Sequence, residues 1–165
     1  MHEILILSDS HGNIASVREV VKKHPSASYV LFCGDGLRDI ETLESEFSTK
    51  IFLSVKGNCD LFYDAPDTRM IPLGGHNVFM THGHLFGVKS GYGVLAKHAR
   101  DQGADIVLFG HTHLPFEGRM TVGDHSVHLF NPGSIGRSFD GALSYGVLTL
   151  RENGYLFSHG DVTCR

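Results

Sequence analysis

The hydrophobic positions of this chain follow two rhythms. In the first half, short unbroken apolar runs alternate with stretches of helical spacing. Ile4–Leu7 reads ILIL, a run without alternation, which predicts a strand buried on both faces. Asn13 is placed as a helix N-cap, and Ile14, Val17, Val20 and Val21 recur on one helix face. Lys22, Lys23 and His24 suit the negative end of that helix dipole, and Pro25 stops it. Tyr29–Cys33 (YVLFC) predicts a second strand. Ile40, Leu43 and Phe47 mark a second helix face, and Ile51–Val55 a third strand. This βαβαβ order implies a parallel sheet with right-handed crossovers.

Beyond a polar loop at 61–68, a hairpin is expected from Met70–Leu73, a Gly74-Gly75 turn and Val78–Thr81. Tyr92, Leu95, Ala96 and Ala99 predict a third helix that stops at Gly103, and Ile106–Phe109 another buried strand. The tail then changes rhythm. Phe116–Thr121, Ser126–Phe130, Ala142–Leu150 and Tyr155–His159 read as strands, with turns at Gly123-Asp124 and Asn153-Gly154. The second half is therefore expected to be mostly antiparallel. Two sheets packed face to face, with helices outside, would bury all these runs. No repeat, low-complexity segment or linker interrupts them, so residues 1–165 are expected to form one domain.

Composition narrows the function. Hydrophobic residues make up 41% and charged residues 19% of 165, which excludes wholesale disorder. No apolar run is long enough to span a bilayer or form a signal-peptide core, so a cytoplasmic location is expected. The net charge of -4 comes without a basic block, which argues against a protein that grips long nucleic acid. Three scattered cysteines give neither a disulfide framework nor a CxxC zinc motif. Twelve histidines exceed what a core needs, and imidazole is the commonest metal ligand.

Position separates those histidines. Asp9 and His11 follow ILIL. Gly34 and Asp35 follow YVLFC. Gly57, Asn58, Cys59 and Asp60 follow IFLSV. His82, Gly83 and His84 follow VFM, and Gly110, His111, Thr112 and His113 follow IVLF. Each motif alone reads as an ordinary turn or cap. Together they put metal-type side chains at the carboxyl ends of five strands, the edge where open α/β sheets bind ligands. Carboxylate, amide oxygen and imidazole suit Mn, Fe, Zn or Ni, and thiolate-rich structural zinc is excluded. There are more ligands than one ion can use. Two ions roughly 3.5–4 Å apart would absorb them, with Asp35 as the bridging candidate.

In this order the five blocks resemble the calcineurin-like metallophosphoesterase signature. Asn131-Pro132-Gly133-Ser134 is similar to a further element of its small members. The nearest resemblance is to the compact YfcE-type phosphodiesterase subgroup, to which the retromer scaffold subunit is related. The resemblance implies an α/β fold, a four-layer α/β/β/α sandwich of two mixed sheets. It implies that Asp9, His11, Asp35 and His113 hold one metal, and Asp35, Asn58, His82 and His111 the other. It also implies direct attack of a metal-bridging hydroxide on phosphorus, most simply with two manganese ions.

Other residues keep open roles. His84 is expected to support the site or contact phosphate. Asp60 is expected to orient a neighbour or cap the next turn. Arg137 is read first as a solvated surface arginine, the alternative being a contact to phosphate. His2, His24, His76, His98, His125, His128 and His159 lie off the strand ends and are expected at the surface or in turns. Cys33 is expected to be a small buried hydrophobe, and Cys164 is terminal. Cys59 stands where many relatives carry His, a general acid for the leaving oxygen. Its thiol is a weaker acid than an imidazolium, which favours activated diesters over alkyl monoesters. Asp35, Asn58, Cys59, Asp60, His82 and His84 are thus the candidate catalytic residues, acting on a small phosphoester in a shallow pocket without a cap domain. The competing readings are a scaffold on the same fold, or a monoesterase or nuclease. Exposed edge strands leave room for a homodimer.

Overall fold

Six strands converge on one edge of the molecule, and that convergence builds the site. The computed structural model describes residues 2–138 and 142–162. Strand β1 (His2–Leu7) leads into α1 (Ile14–Lys23), β2 (Tyr29–Phe32), α2 (Leu37–Glu46) and β3 (Ile51–Ser54). A hairpin of β4 (Thr68–Leu73) and β5 (His76–Thr81) follows, then a short 3-10 turn at His84–Phe86, α3 (Gly93–Asp101) and β6 (Ile106–Leu108). The tail forms β7 (Pro115–Val122), β8 (His125–Pro132), β9 (Ser144–Arg151) and β10 (Gly154–Asp161).

These strands make two five-stranded mixed sheets, β10-β9-β1-β2-β3 and β4-β5-β6-β8-β7. In the first, β1, β2 and β3 are parallel, while β9 pairs antiparallel to β1 and to β10. In the second, β5, β6 and β8 are parallel, with β4 and β7 as antiparallel edges. The predicted elements are all present, with β1, β4, β5, β7, β8 and β10 longer than expected. The last hairpin turns one residue earlier, since Gly154 already pairs with Arg151. Cys164 lies outside the described residues, and the predicted strand from Ala142 begins at Ser144.

Three separate apolar clusters account for the layers. Leu5, Leu7, Val30 and Phe32 face α1 and α2, meeting Val17, Val20, Val21, Ile40 and Leu43. Their strand neighbours Ile4, Ile6 and Leu31 point the other way, into the seam with Met80, Ile106, Leu108 and Phe130 of the second sheet. Phe79, Val107 and Leu129 point outward again, against Leu95, Ala96 and Ala99 of α3. Successive residues of a strand face opposite sides, so ILIL feeds two cores at once and has no need of a polar face. The result is the expected α/β/β/α sandwich. Asn13 caps α1 as predicted, its side-chain oxygen accepting from the Ser16 N–H at 3.2 Å. No helix among the described residues is long and apolar enough to cross a membrane.

The stray histidines correct one expectation. His128 is 8% exposed, lies 3.1 Å from Glu117 Oε1 and 3.0 Å from the Tyr155 hydroxyl, and is therefore no surface residue. His24 reaches the Tyr145 hydroxyl, and the His159 ring stacks on Phe130 while its Nε2 donates to the Asn131 carbonyl. A buried imidazole needs polar partners, and these partners come from distant strands, which local sequence does not reveal.

Candidate metal centre

Each predicted ligand sits where a strand gives way to a tight loop at the convergent edge. The backbone is unusual there. Among the described residues, the non-glycine positions with positive φ are Asp9 (57°), His11 (44°), Asp35 (61°), His111 (67°) and His113 (61°). Every one is a predicted ligand. Left-handed backbone costs roughly 1–2 kcal/mol per residue, although Asp and His tolerate it better than branched residues. A chain holds five such positions in one place only where the surroundings over-determine them, which is the signature of a functional site.

Close backbone approach explains two of the flanking glycines. A Cβ on Gly57 would lie 2.1 Å from Asp35 Oδ1. One on Gly110 would lie 1.9 Å from Ser8 Oγ and 2.7 Å from Asp9 Oδ2. Any side chain at either position would displace a candidate ligand.

The donor atoms form one continuous group. Asp9 Oδ1 lies 3.1 Å from His113 Nε2, 3.6 Å from His11 Nε2 and 4.0 Å from His82 Nε2. His11 Nε2 and His113 Nε2 face each other at 3.2 Å. Asp35 Oδ2 stands between the two sides, 3.9 Å from His11 Nε2 and 3.4 Å from His82 Nε2. His82 Nε2 in turn meets Asn58 Oδ1 at 3.2 Å and His111 Nδ1 at 3.2 Å. All seven predicted metal ligands are thus brought together. Asp9 Oδ1 also reaches both sides, so the structure offers two carboxylates as links where the sequence suggested Asp35 alone.

The hydrogen bonding fits cations at this point. His82 Nδ1 lies 2.7 Å from the Cys33 carbonyl, which only accepts, so Nδ1 carries the proton. Its Nε2 faces an amide oxygen, a carboxylate and another imidazole, and needs a proton or a cation among them. Asp9 Oδ1 is fully buried and has no hydrogen-bond partner among the described residues. Burial of so many acceptors together is unfavourable unless positive charge lies among them. Protons supply it in part. Burial alone would lower the His82 pKa, but the Asp35 carboxylate, with Asp9 behind it, raises it on balance. Burial alone would raise both carboxyls, but the nearby His11 and His113 hold Asp9 well below the carboxylate range. His82 and the Cys59 N–H likewise hold Asp35 down at about 2. Burial, then the positive charges of His82 and Lys89, push His111 down to about 4, leaving it neutral and free to ligate.

The remaining candidates divide. Cys59 is exposed, and its backbone N–H donates to Asp35 Oδ1 at 2.7 Å. Its sulfur, His11 and Asp35 offer ligand atoms that lie within 4.8 Å of one another. Asp60 does not face the cluster. Its Oδ2 accepts from the Asp35 and Gly57 N–H groups at 2.7 and 2.9 Å, and its Oδ1 from Gly36 and Leu37 at 2.9 and 3.0 Å. It is a positioning residue that ties two ligand loops to the start of α2. The His84 ring lies 5.3 Å from that of His82, and its buried Nδ1 has no partner among the described residues. Burial, then the His82 charge, lower its pKa. Arg137 is exposed, as expected.

Several braces escaped the sequence reading. Asp39 accepts from Ser10 Oγ and the Gly12 N–H, holding the Asp9–His11 loop. Ser134 Oγ donates to the Asp9 carbonyl at 2.9 Å. Asn131 Nδ2 donates to the Gly110 carbonyl at 2.9 Å, steadying His111. Only the Asn131–Ser134 motif hinted at this, and it gave no roles.

With the geometry in place, comparison with known proteins is informative. Residues 2–153 match the calcineurin-like phosphoesterase superfamily domain. The chain is 31% identical to the probable metallophosphoesterase YsnB of Bacillus subtilis, over 91% of this chain and 85% of that one. It is 29% identical to the phosphodiesterase YfcE of Escherichia coli, over 90% and 88%. Among solved structures it is similar to a conserved uncharacterized protein of Streptococcus pneumoniae described as a predicted phosphoesterase. There the TM-score is 0.76 at 28% identity, covering 95% of this chain and 87% of that one.

Proposed function

The chain belongs to the calcineurin-like phosphoesterase superfamily, and on that premise we propose that it hydrolyses small phosphodiesters at a centre of two divalent cations. The reading takes residues 1–165 as one domain carrying one site. The observation that supports it best is the cluster itself, where, among the described residues, every left-handed non-glycine position is a candidate ligand and a buried carboxylate oxygen has no hydrogen-bond partner. One cation falls to Asp9, His11, Asp35 and His113, the other to Asp35, Asn58, His82 and His111. Such cations, when bound, acidify a coordinated water toward neutrality and offset charge on the phosphoryl oxygens. Oxygen and nitrogen donors suit manganese first, with iron, nickel and zinc as alternatives.

The chain's own part is positioning. The Cys59 N–H fixes Asp35 Oδ1, which leaves Oδ2 turned to the cluster. The Cys33 carbonyl sets the His82 tautomer, so its Nε2 serves as ligand and not as proton donor. Cys59 stands beside them as the group best placed to handle a proton on the leaving side. Burial first, then Asp35 and the other nearby carboxylates, push its thiol up to about 11. It therefore keeps its proton at neutral pH and donates it poorly. Leaving groups must depart with little help, and a monoanionic diester repels an incoming nucleophile less than a dianionic monoester. Activated diesters are the expected substrates. A scaffold on the same fold needs none of these donors, and here every one is in place.

The test is hydrolysis of bis-p-nitrophenyl phosphate by protein whose manganese content has been measured. Protein that loads metal but never turns over would favour the scaffold. Cys59→His is expected to raise turnover of p-nitrophenyl phosphate, by up to roughly 10²–10⁴-fold where geometry allows. Steady-state assays at matched metal content check this. No gain, together with robust monoester turnover by the unaltered protein, would contradict it.

Metal removal is expected to leave the fold intact. The three apolar cores do not include the ligands, unlike a zinc finger whose core depends on its ion. EDTA-treated protein should keep its near-UV circular dichroism. Saturating manganese at about 100 times its Kd should add about 2.7 kcal/mol, a Tm rise of roughly 5–10 °C. Loss of the near-UV signal on chelation would show that the ions organise the core after all.

A further inference from the structure

A cavity of about 310 Å³ opens beside the ligand cluster. Its lining includes His11, Asp35 and Cys59 from the cluster, and Arg38 and Tyr63 from beyond it. We propose that this cavity is the subsite for the rest of the substrate, and that it takes a flat ring carrying a second anionic group, as in a nucleotide. The inference rests on the phosphodiesterase reading and adds the substrate class.

Charge accounting supports it. Three carboxylates line the cavity, and each is directed elsewhere. Asp35 Oδ2 faces the ligand cluster, Asp60 accepts four backbone N–H groups, and Asp39 Oδ2 accepts from Ser10 and Gly12. Arg38 is the second residue of α2, exposed, and no ion pair among the described residues involves its guanidinium. A cation without an ion-pair partner among the described residues, beside a phosphoester site, is available to an anion, and its planar fork suits phosphate. Tyr63 is half-buried and packs against the apolar cluster shared by β1, β2, α1 and α2, so its ring forms one wall of the cavity. A volume near 300 Å³ is the lower end for ligand pockets, which fits one nucleotide unit and not a polymer.

Calorimetric titration of the manganese-loaded protein tests this, with thymidine 5′-monophosphate and thymidine 3′,5′-bisphosphate as probes. The bisphosphate is expected to bind about tenfold more tightly, because its second phosphate reaches Arg38. In Arg38→Ala the ratio of the two affinities should fall to within about twofold of one, and Arg38→Lys should keep part of the preference. Equal affinities in the unaltered protein, or an undiminished preference in Arg38→Ala, would overturn the proposal. Hydrolysis of bis-p-nitrophenyl phosphate is measured on the same preparation. Preference without hydrolysis would support the subsite while sinking the hydrolytic reading. Hydrolysis without preference would overturn the subsite alone.

Discussion

Replacement of Asp35 by Asn is expected to reduce phosphodiester turnover by about 10³-fold or more. A bridging carboxylate serves cations on both sides, and the charge stabilisation they provide is worth several kcal/mol at about tenfold per 1.4 kcal/mol. Asp35 Oδ2 lies between the His11 and His82 nitrogens. On the proposed two-cation reading, an amide there would offer the cations no charge and would lose at least one of them. The fold should survive, because the amide oxygen can still accept from the Cys59 N–H in place of Asp35 Oδ1. Elemental analysis, near-UV circular dichroism and bis-p-nitrophenyl phosphate assays together check this. A variant with full activity would show that Asp35 does not hold the cations.

The second large effect falls on stability. Asp60→Ala removes the acceptor of four backbone N–H groups at a position only 4% exposed. Hydrogen bonds to a charged group contribute about 1.5–3 kcal/mol each, and sharing one carboxylate makes them less than additive. A loss of about 3–5 kcal/mol is expected, or a Tm fall of roughly 10 °C for a chain of this size. Asp60→Asn should be intermediate, since an amide nitrogen cannot accept from the donors that meet one of the carboxylate oxygens. Metal affinity should fall as well, because the Asp35 and Gly57 N–H groups would lose the anchor that sets both ligand loops. Denaturant titration with and without manganese separates the two effects. A chemical midpoint matching the unaltered protein would mean that water replaces the carboxylate at little cost.

The contrast between these residues shows how far the sequence reaches. Asp35 and Asp60 each follow an apolar strand in a glycine-marked turn, and by pattern they are equivalent. Only the fold shows one carboxylate turned into the cluster and the other turned back onto the backbone. The same applies to histidine. His82 and His128 both lie in apolar surroundings, yet His82 faces the ligands and His128 pairs with Glu117 and Tyr155.

The elements and the strand-end positions of the candidate ligands were legible because their causes are local. Unbroken aliphatic runs specify strands buried on both faces, helical spacing specifies one-sided helices, and parallel strands of one sheet end on the same side. That order places Asp9, His11, Asp35 and Asn58 at one edge of the first sheet and His82, His111 and His113 at one edge of the second, and the packing of the sheets joins the two edges. What the tertiary structure alone decided depends on contacts between segments far apart in the chain. These include the left-handed backbone at five candidate ligands, the Asp9 oxygen without a hydrogen-bond partner among the described residues, and the bracing by Asp39, Asn131 and Ser134. They also include the lack of an ion-pair partner for Arg38 among the described residues. A side chain's partners are set by which loops the two sheets press together, and no periodicity within one segment records that.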